Sequence, residues 1–396
     1  MLAPDAPLPA TSERPLARCA RAGAHVALYL ATLAGTLALL GRAAPPGGGD
    51  LLGSKLQHYL ASVAQHDTVF LGSSHVYRAF VPAVFDAELA AAGVEARSFN
   101  LGVQSTHQLE LEYLARLVLD EGRGHLARLF VEYQPFAPQL DLDNAFQART
   151  VHWHDAEATA LALARTHAAA AATPGGIPLV VSEDEHSILG LAERCLPSWW
   201  RIDRVHLQHF AKRELCVARG PDLVENLRGR ARGGEWRANR GYLSLEEDER
   251  RAGARAGTNP YRRRREAFLA DLADYTAELA ALEREPVFFG DGEWMDARLL
   301  QVPDFTAYRR MAAEARAAGV ELVIVVMPAG TCDRAAEERL ARELGVRVLR
   351  FNRPARFPAL YEPELRFDSG HLAEAGARVF SVELARAWLA GSGGGP

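Results

Sequence analysis

The stretch Thr68-Val69-Phe70-Leu71-Gly72-Ser73-Ser74-His75 decides how this chain folds. A short apolar run of β-type residues stops at a glycine and two serines, and a helix-compatible segment follows. Such a run reads as a buried parallel strand whose carboxyl end presents polar groups. In open α/β sheets that end is where ligands bind. Outward from it, residues 97–101, 129–133, 321–327 and 346–351 read as four more strands. Helical segments are expected at 56–64, 82–92, 305–318, 335–344 and 373–389, and one capped by Ser105 or Thr106. The alternation predicts an α/β fold, a three-layer α/β/α sandwich around a five-stranded parallel sheet.

The chain divides by composition. Residues 1–21 form a tail and 22–41 an apolar helix; 42–64 hold a Pro/Gly linker and a lead-in helix. Residues 65–140 and 301–390 are the two parts of the core, 141–300 a mostly helical insertion, and 391–396 a loose end. Within the insertion, 155–172 and 265–283 read as helices, whereas 228–257, rich in Arg, Gly and acids, reads as a poorly packed loop.

A net charge of −5 argues against a nucleic-acid partner, which calls for a basic surface. The run Ala22–Leu40 has no charged side chain and follows Arg14, Arg18 and Arg21. Its length matches a hydrocarbon core, and arginines on its amino side place the bulk of the chain outside the cytoplasm. The expectation is a transmembrane signal anchor at 22–41, with a cleaved signal peptide and a soluble esterase as rivals. Four cysteines are too few for a disulfide framework; only Cys195 and Cys216, both in the insertion, are candidates to pair.

Chemistry is suggested at both ends of the core. Ser74 stands at the tip of the first strand, and Asp368 and His371 lie three residues apart before the last helix. A serine, a histidine base and an aspartate to hold the imidazole are the parts of an acyl-transfer site. Each has an ordinary structural role as well: Ser74 as a helix cap, Asp368 in a turn, His371 on the surface. His152 and His154 invite a metal, but no third ligand is placed by spacing, so neither a metal nor an organic cofactor is expected.

Gly72-Ser73-Ser74 resembles the first sequence block of the SGNH (GDSL-type) hydrolases, with Ser73 in place of the usual aspartate. Asn100-Leu101-Gly102 resembles the second block, and Asp368 with His371 the DxxH of the fifth. The third block, GxND, is not matched, because the third strand runs into Gln134-Pro135. The resemblance implies a flavodoxin-like sheet, Ser74 as nucleophile, and an oxyanion hole built from the N–H groups of Ser74 and Gly102. Gln134 would stand in for the missing asparagine. Asn100, Arg78, His75 and Trp153 are candidates to touch substrate.

Departures of this kind resemble envelope acyltransferase-like branches of the family. The implied function is an extracytoplasmic serine esterase or O-acyltransferase acting on acylated envelope lipids or polysaccharides. The rival is an inactive accessory protein that uses the same pocket to bind glycans or partner subunits.

Overall fold

The computed structural model describes residues 15–43, 51–140, 148–173, 177, 197–214, 235–252, 259–282, 304–328 and 334–392. Five strands make one parallel sheet: β1 (Thr68–Leu71), β2 (Ser98–Asn100), β3 (Arg128–Glu132), β4 (Glu321–Val326) and β5 (Arg347–Arg350). Their order is β2-β1-β3-β4-β5. The chain leaves β1 for β2 on one side and returns to β3 on the other. In open parallel sheets such a reversal is where ligands bind, at the carboxyl ends of the strands.

Side chains alternate across the sheet, so each strand feeds two cores. Val69, Leu71, Leu129, Val131, Leu322 and Ile324 face one. Phe70, Phe130, Val323 and Val325 face the other. Burial on both faces explains why β1 and β4 are unbroken apolar runs rather than alternating ones.

The helices are α1 (Pro15–Ala43), α2 (Leu51–Ala61), α3 (Ser74–Ala79), α4 (Pro82–Ala91), α5 (Gln108–Glu121), α6 (Ala148–Trp153), α7 (Ala156–Ala172) and α8 (Ser198–Glu214). They continue with α9 (Glu235–Ala238), α10 (Leu245–Arg251), α11 (Pro260–Ala270), α12 (Leu272–Leu282), α13 (Thr306–Ala317), α14 (Arg334–Leu344) and α15 (Glu374–Ser392). Leu111, Leu114 and Val118 of α5 and Tyr308 and Met311 of α13 cover the first face of the sheet. Phe85 and Leu89 of α4 and Phe380 and Leu384 of α15 cover the second.

Several expectations are corrected. Neither Ser105 nor Thr106 caps α5. His107 does, its ring accepting from Leu109 N–H while Glu110 closes the capping box. The segment 235–252, expected as a loop, holds two short helices and buries Trp236, Tyr242 and Leu243. It lies against β2, where Arg240 C=O accepts from Asn100 N–H at 2.9 Å. Gly241 follows with φ of +95°, and a Cβ there would meet Asn100 O at 1.9 Å, so only glycine fits. The single helix expected at 265–283 is two, separated at Asp271.

The N-terminal apolar run is helical, and Val26, Leu28, Tyr29, Leu30, Leu33 and Leu39 of α1 are exposed. The expected transmembrane helix is not found: among the described residues no helix is long and apolar enough to cross a membrane. Alanine, glycine and threonine dilute the run, and His25 interrupts it. Cys195, Cys216, the Pro45–Gly49 linker and residues 393–396 lie outside the described residues, as does much of the insertion.

Candidate active site

The turn after β1 is built around a carboxylate. Glu132, the last residue of β3, is buried beneath it. Its Oε2 accepts from Ser73 N–H at 2.5 Å, and its Oε1 accepts from Ser73 Oγ at 3.0 Å and from His75 Nδ1 at 3.0 Å. Gln134 Nε2 donates to Oε2 at 3.3 Å. Ser73 caps α3, its Oγ accepting from His75 N–H at 3.2 Å. Gly72 has no room for a side chain, since a Cβ would lie 2.2 Å from Val76 Cγ2 and 2.6 Å from Glu132 Oε2. Ser74 is therefore held as the first residue of α3. Its N–H is one of the helix's unpaired first donors, with no partner among the described residues.

Asp368 and His371 come from a tight turn before α15. Arg366 and Leu372 form an antiparallel bridge across it, and Phe367 N–H donates to His371 C=O at 2.9 Å. Asp368 Oδ1 accepts from Gly370 N–H at 2.8 Å and His371 N–H at 2.7 Å. The Arg366 guanidinium donates to the carbonyls of Asp368, Pro328 and Leu360 at 3.0 to 3.2 Å, which locks the turn to the sheet.

Across 297 residues of chain, His371 Nε2 lies 2.9 Å from Ser74 Oγ, and His371 Nδ1 lies 3.0 Å from Asp368 Oδ1. Both His371 and Asp368 are buried. Burial lowers the imidazole from its ordinary value to about 4, more than Asp368 raises it, with Arg264 and His75 adding to the fall. Burial by itself would raise the Asp368 carboxyl. His371, Arg264 and Arg366 outweigh it and hold that group well below the usual carboxylate range. At neutral pH the site holds a carboxylate and a neutral imidazole, the charge states that proton abstraction from a hydroxyl needs.

Two side chains absent from the sequence reading complete the site. Glu132 brings a carboxylate to the turn from a neighbouring strand. Its signal was a charged residue closing an otherwise apolar strand, Leu129-Phe130-Val131-Glu132. Arg264 of α11 reaches the triad from the insertion, with Nη2 at 2.7 Å from Asp368 Oδ2 and 2.8 Å from His371 Nδ1. Within the run Arg262–Arg265 nothing in the sequence marks it off from its solvated neighbours.

The remaining expected residues divide sharply. His75 is half-buried beside the triad, its ring centroid 5.0 Å from that of His371. Gln134 stands near by through Glu132. Gly102 abuts α3, where a Cβ would meet Tyr77 N at 2.5 Å, but its N–H donates to Asn100 Oδ1 at 2.9 Å, so this N–H is not a free oxyanion donor. Asn100 is fully buried rather than facing a pocket. Its amide donates to Val76 C=O at 2.9 Å and Phe80 C=O at 2.8 Å. Arg78 is buried too, donating to Leu243 C=O at 3.0 Å and pairing with Asp248 at 2.5 Å, so it fastens the insertion to α3.

Trp153 is buried and stacked parallel on His107, with ring centroids 5.2 Å apart. Its neighbour His154 bonds Thr150 C=O and, at 2.9 Å, His206 Nδ1. Among the described residues no group of three or more His, Cys, Asp or Glu is arranged to hold a metal ion.

No protein-family model matches the chain, and no curated protein matches it either.

Proposed function

We propose that the chain is a serine acyl-transfer enzyme of the SGNH type, on a flavodoxin-like three-layer sandwich, with Ser74 as nucleophile, His371 as base and Asp368 as its partner. The carrying observation is the Ser74–His371–Asp368 line, 2.9 and 3.0 Å long, at the carboxyl end of β1.

In this reading Ser74 Oγ attacks an acyl carbonyl while its proton passes to His371 Nε2. The oxyanion faces the free N–H of Ser74 at the start of α3. Collapse breaks the ester, and the leaving alkoxide takes the proton from His371. Water or an acceptor hydroxyl then gives its own proton to His371 and attacks acyl-Ser74; as the bond from the acyl carbon to Ser74 Oγ breaks, His371 returns that proton to Ser74 Oγ and the acyl group leaves on the acceptor. The residues named hold and move every proton, with no metal or organic cofactor in the scheme.

O-acyl groups of envelope lipids or polysaccharides are the proposed substrates, and the proposed location is outside the cytoplasm. Both rest on the resemblance and on the arginine-flanked apolar segment at 22–40. The test is labelling with a fluorophosphonate. Labelling of the wild type that disappears in Ser74→Ala supports the enzyme, and a folded protein that does not label refutes it.

One observation favours the second reading, an accessory binding protein. Gly102 N–H is engaged by Asn100, and the amide of Gln134 by Glu132, which leaves few donors for an oxyanion. Removing one such donor typically costs a hundredfold or more in rate. Glycan binding by a chain that never labels supports that reading.

A further inference from the structure

Beside the triad stands a second imidazole with a carboxylate of its own. His75 Nδ1 lies 3.0 Å from Glu132 Oε1, as His371 Nδ1 lies 3.0 Å from Asp368 Oδ1. The two rings are tilted by 39°, with centroids 5.0 Å apart. His371 alone carries the protons of acyl transfer, which leaves His75 without a part in it. An alcohol that exchanges its proton with His371 must bring its oxygen to Nε2 of that ring, and His75 borders that place.

The hydrogen on His75 is fixed by its neighbours. Ser73 Oγ gives its one hydrogen to Glu132 Oε1 at 3.0 Å, so toward His75 Nδ1, 3.2 Å away, it can only accept. Glu132 Oε1 is a carboxylate oxygen and accepts as well. Both neighbours of Nδ1 therefore call for a hydrogen there. In the neutral ring that leaves Nε2 bare, an acceptor without a hydrogen-bond partner among the described residues. The Glu132 side chain is 4% exposed and that of His75 18%, so the ring runs from a buried carboxylate out toward solvent and ligand.

A simple alcohol at this place meets His371 and leaves His75 Nε2 to water. An alcohol with a second hydroxyl on the next carbon brings one oxygen to His371 and donates from the other to His75. We propose that His75 is the specificity-determining residue of the alcohol subsite, its bare Nε2 selecting polyols that carry a hydroxyl on the carbon beside the acylated one. Sugars and glycerol have this pattern. The proposal deepens the reading of Ser74 as nucleophile and rests on it. Glu132 is a positioning residue that holds the His75 tautomer. The alcohol that leaves acyl-Ser74 and the alcohol that later attacks it occupy one subsite, so donor and acceptor are selected alike. No proton transfer is added, because the second hydroxyl keeps its hydrogen.

The test times the breakdown of acyl-Ser74 in the full chain. Nitrophenyl acetate supplies the acetyl group, and nitrophenol release is followed with added ethylene glycol or its monomethyl ether, which cannot donate from its second oxygen. Per reactive hydroxyl, the glycol is expected to speed breakdown about three- to tenfold more than the ether, the worth of one hydrogen bond. His75→Phe, which keeps a ring and removes the acceptor, should bring the two alcohols level. His75→Gln, whose amide oxygen can accept in place of Nε2, should keep part of the difference. A merely structural role would slow both alcohols alike and leave their ratio unmoved. The wild-type ratio decides the matter should the Phe variant fail to fold.

Equal acceleration by the two alcohols in the wild type, or none by either, overturns the proposal, as does a ratio that His75→Phe leaves as it was. A wild type that releases no nitrophenol, or a Ser74→Ala variant that releases it as fast, sinks the nucleophile reading and this proposal with it. A missing preference in a chain that still acylates at Ser74 sinks this proposal alone.

Discussion

Glu132 and Ser73, 59 residues apart, are joined twice: the backbone N–H and the hydroxyl of the serine both donate to the one carboxylate, at 2.5 and 3.0 Å. The acid that ties the turn after β1 comes from the neighbouring strand β3. Glu132→Gln keeps the size but puts an NH2 where an oxygen accepted. Either Ser73 N–H or the pair Ser73 Oγ and His75 Nδ1 then faces a donor. Leaving such a buried group unmet costs about 1–3 kcal/mol. The denaturation midpoint should fall accordingly, and Ser74 labelling should slow in protein that is still folded. An unchanged labelling rate would show that the turn holds without this carboxylate.

Acid should destabilise the fold before it reaches the carboxylates. Burial lowers His66, His107 and His371 to about 4 from an ordinary value of 6.5. A histidine whose folded value is depressed stays neutral while the unfolded chain takes up a proton. Stability is therefore full above about pH 6.5 and lost as pH falls from there toward 4. Urea midpoints measured from pH 8 to 4 should show this decline, and His107→Gln should make it shallower. By the same reasoning, labelling of Ser74 should hold nearly level down to about pH 5, because His371 resists protonation until about 4.

What the sequence made legible was whatever rests on local pattern. The apolar runs of β1 and β4, glycines and prolines at element ends, and a serine, aspartate and histidine each beside its own strand or helix led to the sheet and the triad. What stayed hidden depends on tertiary pairing. Asn100 matched a family block, yet its amide turns inward to the carbonyls of α3. Arg264 and Arg262 are indistinguishable in the sequence, but one is buried against Asp368 and the other pairs with Glu249 at the surface. Residues 235–252 look like loop because their charges dominate, while Trp236, Tyr242 and Leu243 carry the packing.

Asn100→Ala tests the inward role. The substitution strips the bonds to Val76 and Phe80 carbonyls and frees Gly102 N–H, all of them buried. Unmet backbone groups at about 1–3 kcal/mol each should lower thermal stability by several degrees or more. If Asn100 served only to bind substrate, stability would not change and only the apparent affinity for an ester would suffer.

The N-terminal helix separates from the fold by the same kind of accounting. Among the described residues neither sheet-facing core contains one before Leu51, and six large apolar side chains of α1 stand exposed. A chain beginning at residue 44 should therefore unfold at the same temperature as the whole chain and label at Ser74 equally fast. Exposed leucines and a tyrosine on one helix call for an apolar phase, and each gains about 1.5–3 kcal/mol on leaving water. The whole chain is expected to sediment with membranes, while the shortened chain stays in the supernatant. A whole chain left in the supernatant would assign α1 to a protein partner instead of lipid, and would remove the main support for a location outside the cytoplasm.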